Sequence, residues 1–317
     1  MLIDQAHVER WVHQFEPDER EVVVEGTKNL LTFGYFSRCR AHALVQQFLF
    51  DENVFTMEPQ IGWLDTKFLS IQRHGQSQTA ANTLAADIMY KDDDLCINDC
   101  GTSPSQYVYL DDFLFTGNTL LYDLLQRLPN VEHPRNLYVF LYGGHSQGLN
   151  YVRKRFYEHS VAELWNLQIM CSTVCSNDPS GVYEGLWPVD HQCDAATQSF
   201  IQRLQTHSLH TPRLFRSAFN HKRDRIFASN EQRHVVEKAF LRKGAYILSH
   251  CQEPKHEMRP LGFEKLESLG FGATLVSYRN VANNCPLALW WGDPEAPAGS
   301  PLRCWLPLFR RRGNRGD

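Results

Sequence analysis

The chain has 317 residues, enough for one large domain or two small ones. At 43% hydrophobic and 21% charged it has the balance of a globular protein, which sets aside disordered and fibrous classes. No run reaches the roughly 18 apolar residues of a membrane span, so no membrane partner is expected. The formal charge of −4 is unevenly placed: residues 1–112 hold 18 Asp/Glu against 8 Lys/Arg, residues 213–243 hold nine Lys/Arg against three Asp/Glu, and the last fifteen hold five Arg and one Asp. Basic stretches of this kind are solvated surface first, and surface for phosphates, acidic proteins or nucleic acid second.

Met1–Arg10 has no basic segment leading into an apolar one, so no signal peptide is expected and the chain is read as cytoplasmic. Val8, Trp11, Val12 and Phe15 fall at helical spacing, and short helices follow over 27–35 and 41–50. Residues 1–57 thus read as an N-terminal helical cap. Thr66–Gln72 has a strand pattern, Arg73–Gln78 is a polar turn with Gly75 in it, and a helix is predicted over about 79–90. The segment 91–105 is loop-like, with Asp92–Asp94 and Asn98–Asp99 as solvated turn residues; its length suits a mobile cover over a site.

Tyr107–Leu110 is an apolar, β-rich run that ends in Asp111 and Asp112, followed by Phe113–Phe115, Thr116-Gly117-Asn118-Thr119 and Leu120, Leu121, Leu124, Leu125 and Leu128 at helical spacing. This reads as strand, phosphate loop, helix. Thr119 suits the N-cap or first turn, where free N–H groups and the positive end of the helix dipole attract an anion. Gly117 lets a phosphate approach the backbone, and the hydroxyls of Thr116 and Thr119 add donors. Two carboxylates at the carboxyl end of a strand suit the paired hydroxyls of a ribose, with Mg²⁺ nearby.

A third strand is predicted over Asn136–Tyr142, a turn over Gly143–Gly148 containing His145, a helix over 149–164 and a fourth strand near 167–171. Strand and helix alternate at least three times, which predicts an α/β fold built on an open, doubly wound, mainly parallel sheet. Residues 176–195 are rich in Pro, Gly and Asp, and 176–245 reads as an insertion or hood with helices at 197–206 and 230–243. Ala245–Ser249 is a strand candidate. Gly272–Tyr278 and Pro286–Trp291 read as the two strands of a C-terminal hairpin around Asn283 and Asn284. The phosphate-binding domain would then span 58–291, and 292–317 would be a flexible Arg-rich tail. The nine cysteines read as buried free thiols. The Cys96/Cys100 and Cys171/Cys175 pairs, with His191 and Cys193, are spaced more loosely than a zinc knuckle.

The Asp111–Thr119 stretch resembles the ribose-phosphate loop of the type I phosphoribosyltransferases, which handle phosphoribosyl pyrophosphate (PRPP). Leu269–Trp290, the Trp11–Phe15 pattern and the Gly75–Gln78 turn are similar to a bacterial phosphoribosyltransferase-like family of conflict and phage-defence neighbourhoods, PRTase-CE. The resemblance implies PRPP or a nucleotide as ligand, Mg²⁺ as cofactor, and a protein partner in a defence operon, with nucleic acid reached only through the Arg-rich tail. It implies that Asp111 and Asp112 hold ribose hydroxyls or Mg²⁺ and act catalytically. It places the 5′-phosphate on Thr116, Gly117, Asn118 and Thr119, and the pyrophosphate on Arg73, Gly75, Gln76 and Ser77. It leaves a non-catalytic sensor or partner-binding module as the alternative. The chain departs from the family at Phe113 and Phe115, where small or aliphatic residues are usual and the second position often carries an acidic base in purine-type members. It departs again at Ala282 and Cys285, which stand in place of Pro and Thr.

Overall fold

In the computed structural model, residues 3–55, 58–73, 75–178, 182–189, 194–207, 214–216, 224–251, 253–264 and 268–311 are described. From the N-terminus, α1 (Gln5–Val12) and α2 (Arg20–Gly34) lead into a two-residue strand β1 (Tyr35–Phe36). Next come α3 (Arg38–Leu49), α4 (Pro59–Leu64), β2 (Thr66–Phe68), α5 (Ser77–Asp93), β3 (Gln106–Leu114), α6 (Asn118–Arg127), β4 (Arg135–His145), α7 (Ser146–Tyr157) and β5 (Trp165–Cys175). Beyond them lie α8 (Ala195–His207), α9 (Asn230–Ser249) and the one-turn α10 (Leu287–Trp290). The chain divides into two compact units, one of residues 36–174 and one of 1–35 with 175–317.

The first unit is built on the sheet β2-β3-β4-β5, in which β2 pairs with β3 and β3 with β4 in parallel. Alternation along each strand sends successive side chains to opposite faces. One face carries Tyr107, Tyr109, Leu137, Val139 and Leu141, packed with Leu120, Leu121 and Leu124 of α6 and Leu149, Val152 and Phe156 of α7. Each buried Leu or Phe here contributes about 1.5–3 kcal/mol. On the other face, Phe140 stacks on Phe48 of α3 at 4.7 Å between centroids and Tyr142 on Phe36 at 6.2 Å. Helices therefore cover both faces, as an α/β fold with a parallel sheet requires. The doubly wound order is not what the described strands show, because β2 to β5 follow one another across the sheet in chain order without a reversal. β3 and β4 also run further than their apolar patterns suggest. Phe113 pairs with Gly143 and Leu114 with Gly144, so Gly143, Gly144 and His145 are strand residues and not a turn.

In the second unit, Trp11, Phe15, Phe240 and Trp305 form an aromatic cluster, with Phe15 and Trp305 edge to face at 5.4 Å. The indole nitrogens of Trp11 and Trp305 both donate to the Ala288 carbonyl at 2.9 Å. Arg233 of α9, fully buried, donates to Asp224 at 2.6 Å, Glu237 at 2.8 Å and the Gly185 carbonyl at 2.9 Å. Arg216 completes the group with a 2.8 Å bond to the other oxygen of Glu237.

Several expectations are corrected here. The helices of 1–57 do not form one cap, since α1 and α2 belong to one unit and α3 to the other. Ala245–Ser249 is the end of α9, and Leu287–Trp290 is helical, so no C-terminal hairpin forms from Gly272–Tyr278 and Pro286–Trp291. Short apolar runs read alike in strand and helix, and tertiary packing decides between them. Nor is the tail loose as far as Arg311. Trp305, Leu308 and Phe309 are buried, the Gln14 amide donates to the Leu306 carbonyl at 2.9 Å, and Arg311 lies over the Trp290 ring at 5.1 Å. Residues 312–317, with two of the tail arginines, lie outside the described residues, as do His191 and Cys193.

Candidate functional site

The site is assembled at the carboxyl ends of β2 and β3. β2 gives way to the loop 69–76, which feeds the N-terminus of α5. Gln78, on the first turn of α5 and 1% exposed, reaches back with its Oε1 to accept the backbone N–H groups of Ile71 and Gln72 at 2.7 and 2.8 Å. Gln72 answers with its own Oε1, which accepts the Gln78 N–H at 3.2 Å. The two amides thus clamp the loop onto the helix start. Ordinary N-cap chemistry is supplied from a distance here, because the N-cap residue Gln76 makes no side-chain bond. Gly75 has φ +95°, in the region that favours glycine, and Arg73, Gly75 and Gln76 are exposed.

β3 brings Asp111 beneath this loop. The Gln72 Nε2 donates to Asp111 Oδ2 at 3.2 Å and to Ser77 Oγ at 2.9 Å, so one amide joins the two side chains. Asp111 Oδ1 accepts the Asp112 N–H at 2.8 Å, and Tyr109 donates to Oδ2 at 3.4 Å. Asp123, a fully buried carboxyl on α6, accepts the Arg73 N–H at 3.3 Å and is near enough for its charge to act on the Tyr109 hydroxyl. Burial first, and then the charge of Asp112, push the Asp111 pKa up to about 7, against the pull of its hydrogen bonds. Burial and the same two carboxyls raise the Tyr109 pKa as well. Asp112, the less buried of the pair, accepts the Phe113 N–H at 2.7 Å.

The second loop is Phe115–Gly117. Gly117, at φ +79°, is the N-cap of α6, so Thr119 is a first-turn residue and not the cap. Asn118 and Thr119 are exposed, and Thr116 Oγ1 accepts the Asn118 N–H at 3.4 Å. The loop lies against the first turn of α7, where a Cβ on Gly148 would come within 1.7 Å of the Phe115 carbonyl oxygen. Arg73 ties the two loops together at the surface: its guanidinium donates to the Tyr122 hydroxyl of α6 at 3.0 Å and lies over that ring at 5.5 Å.

Of the residues singled out in the sequence, Asp111 and Ser77 are therefore joined through the Gln72 amide. Arg73 is engaged with α6, and Thr116–Thr119 opens α6 beside α7. The residues that join them, Gln72, Tyr109 and Asp123, were not singled out. Their bonds span 39 and 50 positions in the cases of Gln72 to Asp111 and Arg73 to Asp123, and no local pattern signals such pairs. His145 ends β4 at 2% exposed, and burial lowers its pKa to about 4, so it is neutral at pH 7. Asn284 spends its amide on the Phe263 carbonyl at 2.6 Å, and Trp290 is a core residue at 5% exposed. Cys100, Cys175 and Cys285 are buried thiols, but Cys39 and Cys96 are exposed, against the expectation of burial, and no cluster of three or more His, Cys, Asp or Glu that could hold a metal occurs among the described residues. A cavity of ≈ 360 Å³ borders the same loop and the start of α5, lined by Lys67, Ser70, Thr79, Asn82 and neighbours.

The PRTase-CE family model matches residues 8–311. The chain belongs to the PRTase-CE family. It is a phosphoribosyltransferase-like protein, and the match runs through both units, well beyond the two loops. Neither the curated proteins nor the solved structures gave a match to this PRTase-CE chain. No helix among its described residues is long and apolar enough to cross a membrane.

Proposed function

We propose that this PRTase-CE protein binds PRPP and transfers its phosphoribosyl group, to a nitrogenous acceptor or to water. The observation that carries the reading is the meeting of Gln72 and Ser77, from the loop ahead of α5, with Asp111 at the end of β3, four residues before the loop that caps α6. A ligand with a pyrophosphate on one side of a ribose and a phosphate on the other needs anion sites at two helix starts with carboxylates between them. Glycosyl transfer develops positive charge on the sugar, so carboxylates beside the ribose and donors around the leaving pyrophosphate both favour the transition state.

In this reading Asp112 and Asp111 engage the ribose hydroxyls. The α6 start with Thr116–Thr119 takes the 5′-phosphate, and Arg73, Gly75, Gln76 and Ser77 take the pyrophosphate. The protein offers two carboxylates and no larger cluster among its described residues. That suits a Mg²⁺ that arrives on the pyrophosphate, since this ion keeps waters and phosphate oxygens and takes only one or two protein carboxylates. When bound, the ion would neutralise the leaving group, and Asp112, less buried than Asp111, would be the more accessible of the two to it. Phe113 and Phe115 cannot take a proton, so an acceptor has to be nucleophilic without help from this loop. The same two residues favour a second reading, a sensor that binds PRPP or a nucleotide without turnover and regulates a partner. A cytoplasmic role in bacterial defence is part of the proposal and rests on the family alone.

Calorimetric titration with PRPP and Mg²⁺ tests it. The parent is expected to bind in the micromolar range, and Asp112→Asn to lose at least tenfold while melting at the same temperature. Unchanged affinity in that variant, or no binding by the parent, overturns the reading. Release of pyrophosphate on adding acceptor bases or water separates the enzyme from the sensor.

A further inference from the structure

Gln72 holds two partners that a phosphoribosyl ligand also wants. Its Oε1 accepts the Gln78 N–H at 3.2 Å, a donor of the α5 first turn where the pyrophosphate is proposed to sit. Its Nε2 donates to Asp111 Oδ2 at 3.2 Å and to Ser77 Oγ at 2.9 Å, groups proposed for the ribose and the pyrophosphate. One amide therefore bridges the two halves of the site. The side chain is only half-buried and has three rotatable bonds, so it can leave, whereas its backbone N–H stays fixed by the Gln78 amide. We infer that Gln72 is a positioning residue that couples the pyrophosphate and ribose halves of the ligand site: a ligand group that takes one of its partners releases the amide, and the other half is then open.

The inference rests on the phosphoribosyl reading above. It predicts positive coupling between two fragments that do not touch the same atoms. Whichever binds first bears the cost of breaking both sets of Gln72 hydrogen bonds, and the second does not. Two or three neutral bonds, each with a modest net worth, correspond to a coupling of about 5–20-fold.

The probes are inorganic pyrophosphate and ribose 5-phosphate, each with Mg²⁺, titrated alone and in the presence of the other. In the parent each fragment is expected to tighten the other about 5–20-fold. In Gln72→Met, which keeps the length without the hydrogen bonds, each fragment alone should bind more tightly than in the parent, and mutual enhancement should fall below twofold. Gln72→Glu provides the second variant, because it keeps the acceptor for the Gln78 N–H and removes the donor to Asp111; it too should lose the coupling. Coupling that persists in the folded variants overturns the inference. Fragments that bind more weakly to Gln72→Met also overturn it, because Gln72 would then be a direct ligand contact. Binding of both fragments by the parent with no coupling overturns the role of Gln72 and leaves the phosphoribosyl reading standing. No binding of PRPP or of either fragment by any of the proteins overturns both.

Discussion

Gly148→Ala is the sharpest test of how the loop proposed to take the 5′-phosphate is held. A Cβ at that position would lie 1.7 Å from the Phe115 oxygen, 2.7 Å from its carbonyl carbon and 2.8 Å from Leu114 Cδ2. The approach is tight from the other side too, since a Cβ on Gly117 would meet the Gly148 oxygen at 2.9 Å and Val152 Cγ2 at 2.5 Å. Restoring 3.0 Å of separation requires the Phe115 carbonyl to retreat by about 1.3 Å, or α7 to withdraw by as much. For stability two terms oppose each other. Alanine in a helix gains about 1 kcal/mol over glycine, and overpacking costs about 1–3 kcal/mol. The net loss is therefore about 0–2 kcal/mol, which the fold survives. Function is less tolerant, because a displacement of about 1 Å in a positioning loop costs roughly 100-fold. The assay pairs urea unfolding with PRPP titration and hydrogen exchange at Leu121, whose N–H donates to the Gly117 carbonyl at 2.9 Å in the first turn of α6. PRPP affinity should fall by about two orders of magnitude and Leu121 protection should drop. Affinity within twofold of the parent, with Leu121 protection unchanged, refutes the packing account.

Three further outcomes follow from the second unit and its burial. Glu264, held among buried groups, has its pKa raised from 4.5 to about 7 by burial, against the pull of the Ser268 hydroxyl and Arg259. Its folded pKa lies above its unfolded one, so its contribution is full below about pH 4.5 and is lost as the pH rises through about 7. Glu264→Gln should therefore remove on the order of 2–3 kcal/mol of decline in unfolding free energy across that window, and an unchanged slope in urea titrations at pH 5 and pH 8 refutes it. Arg233→Met strips the guanidinium from Asp224 and Glu237 and should cost about 3–5 kcal/mol in the same assay; a loss under 1 kcal/mol would show that the three charges are not jointly buried. Trp305→Ala should cost about 3–5 kcal/mol because the ring fills the Trp11, Phe15 and Phe240 cluster, and a silent substitution would mean that residues 292–311 do not pack as described.

What was legible in the chain follows the range over which its information acts. The run from Tyr107 to Leu128 carries its own periodicities, so strand, loop and helix were readable in order, although β3 continues past Asp111 to Leu114. Gln72 was readable only as the last residue of a strand, because its role comes from Gln78 and Asp111, the latter 39 positions away. Ala245–Ser249 and Leu287–Trp290 are apolar windows of five residues or fewer, too short for period 2 and period 3.6 to differ. The tail misled through its arginines: the residues that decide its placement are Trp305, Leu308 and Phe309, whose burial outweighs the exposed charge around them. The aromatic departures from the family pattern have a packing reason. Phe113 meets Phe36 edge to face at 5.4 Å and Phe115 is 6% exposed, so both positions face protein, where an acid would be desolvated.

The carboxyls that remain are therefore the informative ones. Asp111 is 8% exposed and Asp123 fully buried, and the Tyr109 hydroxyl donates to Asp111 at 3.4 Å. Stability alone gives no reason for this. Removing a carboxylate from water costs several kcal/mol, and apolar side chains of similar volume in such places are often neutral or stabilising. Asp111 shows the cost directly, through a pKa pushed up to about 7. The two acids sit where the loop before α5, the end of β3 and the first turns of α6 come together, and each accepts a bond from that loop, Asp111 from Gln72 and Asp123 from the Arg73 N–H. An expensive pair at the junction of two strand-to-helix loops, each acid bonded to the first of them, is what the proposed site needs if that loop is to be held in register with β3 and α6 around a charged sugar. Replacing Asp123 by Asn keeps the shape and removes the charge. If the pair serves ligand binding, PRPP affinity should fall at least tenfold while the unfolding free energy stays level or rises. If the pair serves the fold, stability falls and affinity does not.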